Sequence, residues 1–190
     1  MNFPLACFPK LETKRLLLRQ ETLEDALAVF AVFSDPKVTQ FHDLDTFKEI
    51  TEAIGVIERR TERFKNGRGI RWVIARQQDN ILIGSIGFNW DEKLNNAEVG
   101  YELASAFWRQ GIMTEAMHFI LKFGFEELEL KSIVAEVMLG NTASKKLLNK
   151  LGFQSQGILE KRGFWKGQYH DLEKFVLTTE MSTQRIKLAQ

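Results

Sequence analysis

The apolar positions of this chain repeat in two periods, and the change of period marks out the elements. RLLLRQ, from Arg15 to Gln20, reads as a short strand. In ETLEDALAVFAVFSD the residues Leu23, Ala26, Leu27, Phe30 and Val32 fall near one helical stripe, with Thr22 as N-cap and Asp25 at the third position beyond it. Pro36 in SDPK stops that helix. Helical spacing returns from Thr46 to Lys65, carried by Ile50, Ile54, Ile57 and Phe64, and NGRG breaks it. Three β-rich runs joined by short turns follow: Ile70–Arg76, Ile81–Trp90 and Ala97–Ala104, with QQDN and EKLNN as the turns. They predict an antiparallel meander. A helix is expected from Thr114 to about Leu128, with Met113, Ala116, Met117, Ile120, Gly124 and Leu128 on one face. Ser132–Leu139 is the next strand, NTASKKLLNKLGF a helix closed by Gly152, and two strands end the pattern, Phe153–Trp165 and Leu172–Met181, with KGQ in the turn between them.

The order is β α α β β β α β α β β. Single strands between the later helices imply parallel pairing there, and the meander implies antiparallel pairing elsewhere. The expected class is therefore α+β, one mixed and mostly antiparallel sheet with helices on both faces, in a single domain with its core at about residues 11–181. The length of 190 residues suits one core. With 44% hydrophobic residues the chain is expected to fold rather than stay disordered. The formal net charge of +1 gives no global attraction to nucleic acid or an anionic membrane. No apolar run reaches the roughly 18 residues of a spanning helix, and no signal peptide is apparent in MNFPLACFPKLETKR. The single cysteine, Cys7, permits no internal disulfide and fits a reducing, cytoplasmic compartment. His42, His118 and His170 are far apart in sequence, so no metal site is expected.

One short stretch points to chemistry. FWRQGIMTEA, Phe107 to Ala116, places a glycine between a strand and a helix. The first N–H groups of a helix lack intrahelical partners, and its dipole adds positive potential, so such a turn can hold a phosphate. Gly111 lets the backbone approach a ligand closely. The same arrangement also occurs as plain geometry. A second helix start, at Asn141 and Ser144, follows the next strand, and ligands of mixed sheets sit beyond strand ends. GIMT lacks the Lys-Ser/Thr pair of a phosphate-loop NTPase.

VGYELASAFWRQGIMTEA followed by NTASKKLLNKLGF resembles the GNAT superfamily of acetyl-CoA-dependent N-acetyltransferases, and more narrowly its branch of bacterial ribosomal-protein N-terminal (alanine/serine) acetyltransferases. LETKRLLLRQETLEDA is similar to the branch's first strand and helix, and GQYHDLEKFVLT to its last hairpin, so the resemblance spans about Leu11 to Met181. It implies acetyl-CoA as co-substrate and direct transfer to a primary amine, most readily a protein N-terminus. A small amine (an antibiotic, polyamine or amino acid) is the alternative acceptor, and a non-catalytic acyl-CoA-binding module is a further one. Pairing as a homodimer is common among such proteins. The family's pyrophosphate loop corresponds to Trp108–Met113, with Gly111 in place but Trp and Met at its first and last positions. The resemblance assigns phosphate binding to the backbone of Arg109, Gln110, Gly111, Ile112, Met113 and Thr114. It assigns the pantetheine arm to the backbone around Tyr101 to Leu103, and the thiol end to Asn141 and Ser144.

Amine attack on a thioester needs a neutral amine, oxyanion stabilisation and a proton for the departing thiolate. An α-amine of pKa about 7.7–8.0 is roughly one-tenth neutral at pH 7, and a lysine amine near 10.4 less than about 0.1%, so an N-terminal acceptor needs only modest base assistance. Glu98 is the base candidate: apolar Ala97 and Val99 flank it, which would raise its pKa. The other reading of Glu98 is a solvent-facing residue of an alternating strand, and Glu102 competes with matching parity. Many superfamily members carry a Tyr acid four residues before the Gly of GF; here that position is Leu148, and the branch resembled implies Ser144 instead, either as the acid or simply binding the thiol. The run Glu58–Arg71, with Arg59, Arg60, Arg63, Lys65, Arg68 and Arg71, reads as a solvated helix face or as a surface for an acidic partner or RNA. No direct nucleic-acid or membrane binding is expected. Phe33, Phe41, Phe47 and Phe64 fall in the region that borders the acceptor site in the family. His118, His170 and Asp171 read as structural.

Overall fold

A computed structural model describes residue 5 and residues 7–90 and 95–181. The chain divides into two compact units, the first made of the residues up to Asn89 with Gly100–Ile120, the second of Trp90–Val99 and the residues from Leu121 onward. Among the described residues there are eight strands and five α-helices: β1 (Leu11–Glu12), β2 (Leu16–Gln20), α1 (Ala26–Phe33), α2 (Pro36–Thr39), α3 (Ile50–Lys65), β3 (Gly69–Arg76), β4 (Leu82–Trp90), β5 (Asn96–Leu103), α4 (Ile112–Glu126), β6 (Ser132–Met138), α5 (Thr142–Leu151), β7 (Gln154–Trp165) and β8 (Gln168–Thr178). The expected order holds, with β1 and α2 added. Of the EKLNN turn, Glu92–Leu94 lie outside the described residues.

In the first unit, β2 pairs antiparallel with β1 and β3, and β3 with β4. Helices α1 and α3 pack their apolar faces into one cluster of Ala26, Val29, Val32, Phe33, Ala53, Val56 and Ile57 with Val73, Ala75 and Leu82 of the sheet. Helix α1 departs from the expected stripe. Leu23 and Leu27 are exposed by 59% and 71%, whereas Val29 and Phe33 are buried. A 3-10 turn at Leu23–Asp25 precedes the α-helix, and the buried face of α1 runs through Ala26, Val29 and Phe33, which leaves Leu27, about 100° round the helix from Ala26, on the solvent side. The Thr22–Asp25 cap is present, with the Thr22 amide donating to Asp25 Oδ2 at 2.9 Å. Pro36 ends α1 and opens α2, where Asp35 accepts from the Lys37 amide at 2.9 Å and from the Ser105 hydroxyl at 2.5 Å. Helix α3 starts four residues later than Thr46. Glu52 reaches back to accept from the amides of Lys48 and Glu49, closing the first turn there and leaving Ile50 exposed.

In the second unit the first residues of β5 pair in parallel with β6, Glu98 opposite Val134, while β6 and β7 both pair antiparallel with β8. Strand β8 begins four residues before the expected Leu172, which lengthens the final hairpin. The pairing is thus mixed, as the alternation of late helices and strands implied. Helix α5 is capped by the Asn141 side chain, which accepts from the Ser144 amide at 3.1 Å, and ends at Gly152 with φ 94°. Leu148, at the position of the tyrosine many superfamily members carry, is fully buried.

The first unit also contains a buried charge cluster. Glu102 on β5 accepts from Arg60 Nη2 of α3 at 2.9 Å, from Arg71 of β3 and from the Ser85 hydroxyl of β4. Arg60 Nη1 also donates to Glu21, just after β2, at 3.0 Å, and its guanidinium lies 5.7 Å from the centre of the Phe33 ring. Two carboxylates therefore face two guanidiniums in a place water hardly reaches. Burial pushes the pKa of Glu102 up, but Arg71 and Arg60 outweigh it and hold it down to about 2. Burial pushes Glu21 above its usual value.

Glu102 binds its proton more weakly in the fold than the ordinary value of 4.5. Its contribution is therefore fully present above about pH 4.5 and is lost as the pH falls toward about 2. Glu21 acts in the opposite sense and partly offsets it. Glu102→Gln is expected to destabilise the protein by about 3–5 kcal/mol near neutral pH, because it leaves Arg71 and Arg60 buried against too little negative charge. It should also flatten the fall in stability between pH 4.5 and 2; urea unfolding at several pH values measures both.

Candidate functional site

The stretch singled out in the sequence forms a tight corner in the first unit. Strand β5 ends at Leu103, a 3-10 turn covers Ser105–Phe107, and α4 begins at Ile112, two residues earlier than expected and directly after Gly111. The corner contains two residues in the left-handed region, Arg109 (φ 59°) and Gly111 (φ 74°). For Arg109 that conformation is uncommon, so the surroundings must hold it. The Trp108 indole donates to the Leu103 carbonyl at 2.7 Å, and the Gln110 side chain donates to the Ala106 carbonyl at 2.9 Å. Trp108 thus anchors the corner to the end of β5, which explains a tryptophan at the first position of the motif. The N–H groups of Ile112, Met113 and Thr114 form the first helical turn, where no intrahelical acceptor exists.

Arg15, at the entry to β2, reaches the same corner. Its Nη1 donates to the Gln110 carbonyl at 3.0 Å. A trans peptide points its C=O and N–H in opposite directions, so this bond turns the Gly111 N–H away from Arg15. Arg15 Nε donates to Glu115 Oε2 at 2.7 Å, and the Thr13 hydroxyl donates to Glu115 Oε1 at 2.5 Å. Burial raises the pKa of Glu115, but the bonds from Thr13 and Arg15 outweigh it and leave the carboxyl below its usual value. A corner with two left-handed residues, Arg109 and Gly111, running into a helix start makes a concave set of amides suited to an anion. The space where a Cβ of Gly111 would stand has only Arg15 Nη2 within 4 Å, at 3.6 Å.

The carboxylates of β5 fall into different surroundings despite their shared parity. Glu98, in the second unit, is exposed; the Arg162 guanidinium is held above its usual pKa chiefly by its hydrogen bond and attraction to Glu136, to which the charge of Glu98 adds. Ala97 and Val99 beside it are buried, so Glu98 lies on the exposed side of an alternating strand. Glu102, in the first unit, is locked in the charge cluster, and its pKa of about 2, held down against burial by Arg71 and Arg60, makes it a weak base near neutral pH. On the same strand Tyr101 is half-buried and Leu103 buried. In the second unit Asn141 and Ser144 are half-buried at the start of α5, joined through the Ser144 amide. Lys145 on the next position of α5 pairs with Glu173 of β8 at 2.6 Å.

The remaining sequence candidates take structural places. Arg60 and Arg71 leave the basic run for the buried cluster, which corrects the reading of that run as one solvated face; Arg59, Arg63, Lys65 and Arg68 are exposed. Two signals in the sequence pointed to this. Arg60 lies three and four residues after Ile57 and Val56, on the apolar stripe of α3, and Arg71 sits inside an otherwise apolar strand. Phe33 and Phe47 stack at 5.0 Å in the core, and His42 meets Phe33 edge-on at 5.2 Å. His42 Nε2 lies 3.9 Å from Glu102. Phe64 packs against Phe8, and Phe41 is half-buried. His118 is exposed, with Nδ1 at 2.8 Å from the Thr114 carbonyl. His170 stacks on Trp165 at 4.3 Å, and Asp171 accepts from the Lys161 amide at 2.8 Å, so both order the β7–β8 hairpin. Cys7 is a free, exposed thiol.

Residues 15–154 match the family model of the acetyltransferase (GNAT) domain. The chain is 41% identical over 165 residues to the uncharacterized N-acetyltransferase YoaA of Bacillus subtilis, covering 86% of this chain and 93% of that protein. Its fold is similar to that of RimL, a ribosomal L7/L12 α-N-protein acetyltransferase solved with coenzyme A, with a TM-score of 0.81 at 20% identity over 91% of this chain and 99% of that one. It is also similar to the microcin C7 self-immunity acetyltransferase MccE, solved with acetyl-CoA and AMP, with a TM-score of 0.78 at 21% identity over 87% and 93% of the two chains. The motif, the mixed fold and the family match agree: the chain belongs to the GNAT family and is an N-acetyltransferase that uses acetyl-CoA.

Proposed function

We propose that this N-acetyltransferase acetylates the α-amine of a protein N-terminus, with the pyrophosphate of acetyl-CoA held by the backbone from Arg109 to Thr114. The corner formed by Arg109 and Gly111 at the start of α4 is the observation that carries the binding half of this reading. It offers amide N–H groups, a helix start and no side chain at Gly111, which suits a group with two negative phosphates. The resemblance to ribosomal-protein acetyltransferases, and RimL as a structural neighbour, favour an N-terminal acceptor. The fold of MccE favours a small-molecule acceptor as the second reading. The backbone around Tyr101 to Leu103 is offered to the pantetheine arm, and Asn141 and Ser144 to the thiol end.

Little catalytic force is required of the protein for such an acceptor. Roughly a tenth of an α-amine of pKa near 8 is already neutral at pH 7. Glu98 is assigned to take the proton as the amine attacks, directly or through water. Because it is exposed, its contribution belongs at the low end of general-base catalysis, about 10²-fold. Ser144 is assigned to donate to the departing sulfur, which as a thiolate needs little help.

Three outcomes follow. Glu98→Gln should lower kcat about 100-fold at pH 7 with unchanged acetyl-CoA affinity. The deficit should shrink above about pH 9, where the amine deprotonates by itself; equal turnover at pH 7 removes Glu98 from the mechanism. Gly111→Val should lose acetyl-CoA binding, since a β-branched residue strains a φ of 74° and fills the space beneath the amides; intact binding means the phosphates lie elsewhere. A panel of N-terminal peptides and small amines, followed by release of coenzyme A, should show turnover with peptides. Turnover confined to small amines transfers the assignment to the second reading.

A further inference from the structure

Glu115 poses an electrostatic problem. It is a carboxylate in the first turn of α4, the turn whose free amides would face the phosphates. A negative side chain there competes with an anionic ligand for the same positive potential and repels it. The structure shows the carboxylate engaged from three sides by donors outside the helix: Arg15 Nε at 2.7 Å, the Arg15 amide at 3.3 Å and the Thr13 hydroxyl at 2.5 Å. Only Arg15 carries a charge. It is half exposed, with 48% of its side-chain surface accessible, while Glu115 retains 19%. An ion pair so placed contributes little to stability, so stability alone gives Arg15 a weak role. Its position gives it another: the guanidinium that pairs with Glu115 also touches the Gln110 carbonyl, within the corner.

We propose that Arg15 is a positioning residue for acetyl-CoA: it neutralises Glu115 and thereby keeps the start of α4 receptive to the phosphates. This rests on the phosphate reading of Arg109–Thr114 and adds a residue about 95 positions earlier in the chain. Arg15 is not assigned a contact with the ligand. Its effect runs through Glu115, which predicts that Arg15 becomes dispensable once the carboxylate is gone.

That dependence separates the proposal from a packing role. Arg15→Gln removes the charge and leaves a shorter neutral polar side chain. Titration calorimetry with coenzyme A should show about tenfold weaker binding for Arg15→Gln, binding equal to or tighter than wild type for Glu115→Gln, and affinity within about threefold of wild type for the double variant. Pantetheine, which carries no phosphate, should bind all four proteins alike, and thermal melting verifies that each is folded. A double variant as weak as Arg15→Gln overturns the proposal, because Arg15 then acts on the ligand or the loop directly. An unchanged affinity in Arg15→Gln, or an equal loss for pantetheine, overturns it as well. Failure of the wild-type protein to bind coenzyme A instead removes the phosphate reading beneath it, and that outcome is seen before any variant is made.

Discussion

The first unit is held around one carboxylate. Glu102 brings Arg60 of α3, Arg71 of β3 and Ser85 of β4 to a single point on β5, and Arg60 extends the cluster to Glu21 beyond β2. Taking these charges out of water costs several kcal/mol each, recovered only if every one is paired and hydrogen-bonded. Two acids against two guanidiniums meet that condition, and a shift of any contributing element would break it. The cluster therefore fixes the register in which β5 leaves the sheet. The last residue of β5, Leu103, gives the carbonyl on which Trp108 anchors the corner.

The corner is built by side chains that serve the backbone. Trp108 and Gln110 bond to carbonyls preceding them, Ser105 bonds to Asp35, and Arg15 holds the Gln110 carbonyl. These bonds maintain a non-glycine residue, Arg109, at φ 59° beside Gly111 at φ 74°. Amides held in this way need no reorganisation when an anion arrives, which is the physical meaning of a preorganised site. The Trp and Met at the ends of the motif cost nothing in this scheme, because the binding groups are backbone.

Much of this was legible in the sequence because it depends on local rules. Period, caps and the breaking glycines located the strands and helices, and Gly111 and Asn141 marked two helix starts. What escaped depends on distance or phase. Leu23 and Leu27 fall near one stripe with Ala26 in the sequence pattern, but the buried face of α1 runs through Ala26, Val29 and Phe33 and leaves both leucines in solvent. Glu98 and Glu102 share parity, yet one is exposed and the other buried, because burial depends on which strands and helices lie alongside. The partners of Glu102 lie 17 to 42 residues away in sequence, beyond any periodic signal. Charge alone made Arg60 and Arg71 look like members of a surface run, although their apolar neighbours marked both as inward-facing.

The most direct measurement is a calorimetric titration of the protein with acetyl-CoA, with ATP and NAD as controls. A corner that holds the pyrophosphate while the rest of the site recognises the pantetheine arm predicts micromolar binding of acetyl-CoA and none of comparable strength for ATP or NAD. Equal binding of all three would reduce the corner to an unspecific phosphate site. No binding of acetyl-CoA would contradict the assignment of Arg109–Thr114 outright and leave Phe107–Ala116 a turn held for structural reasons.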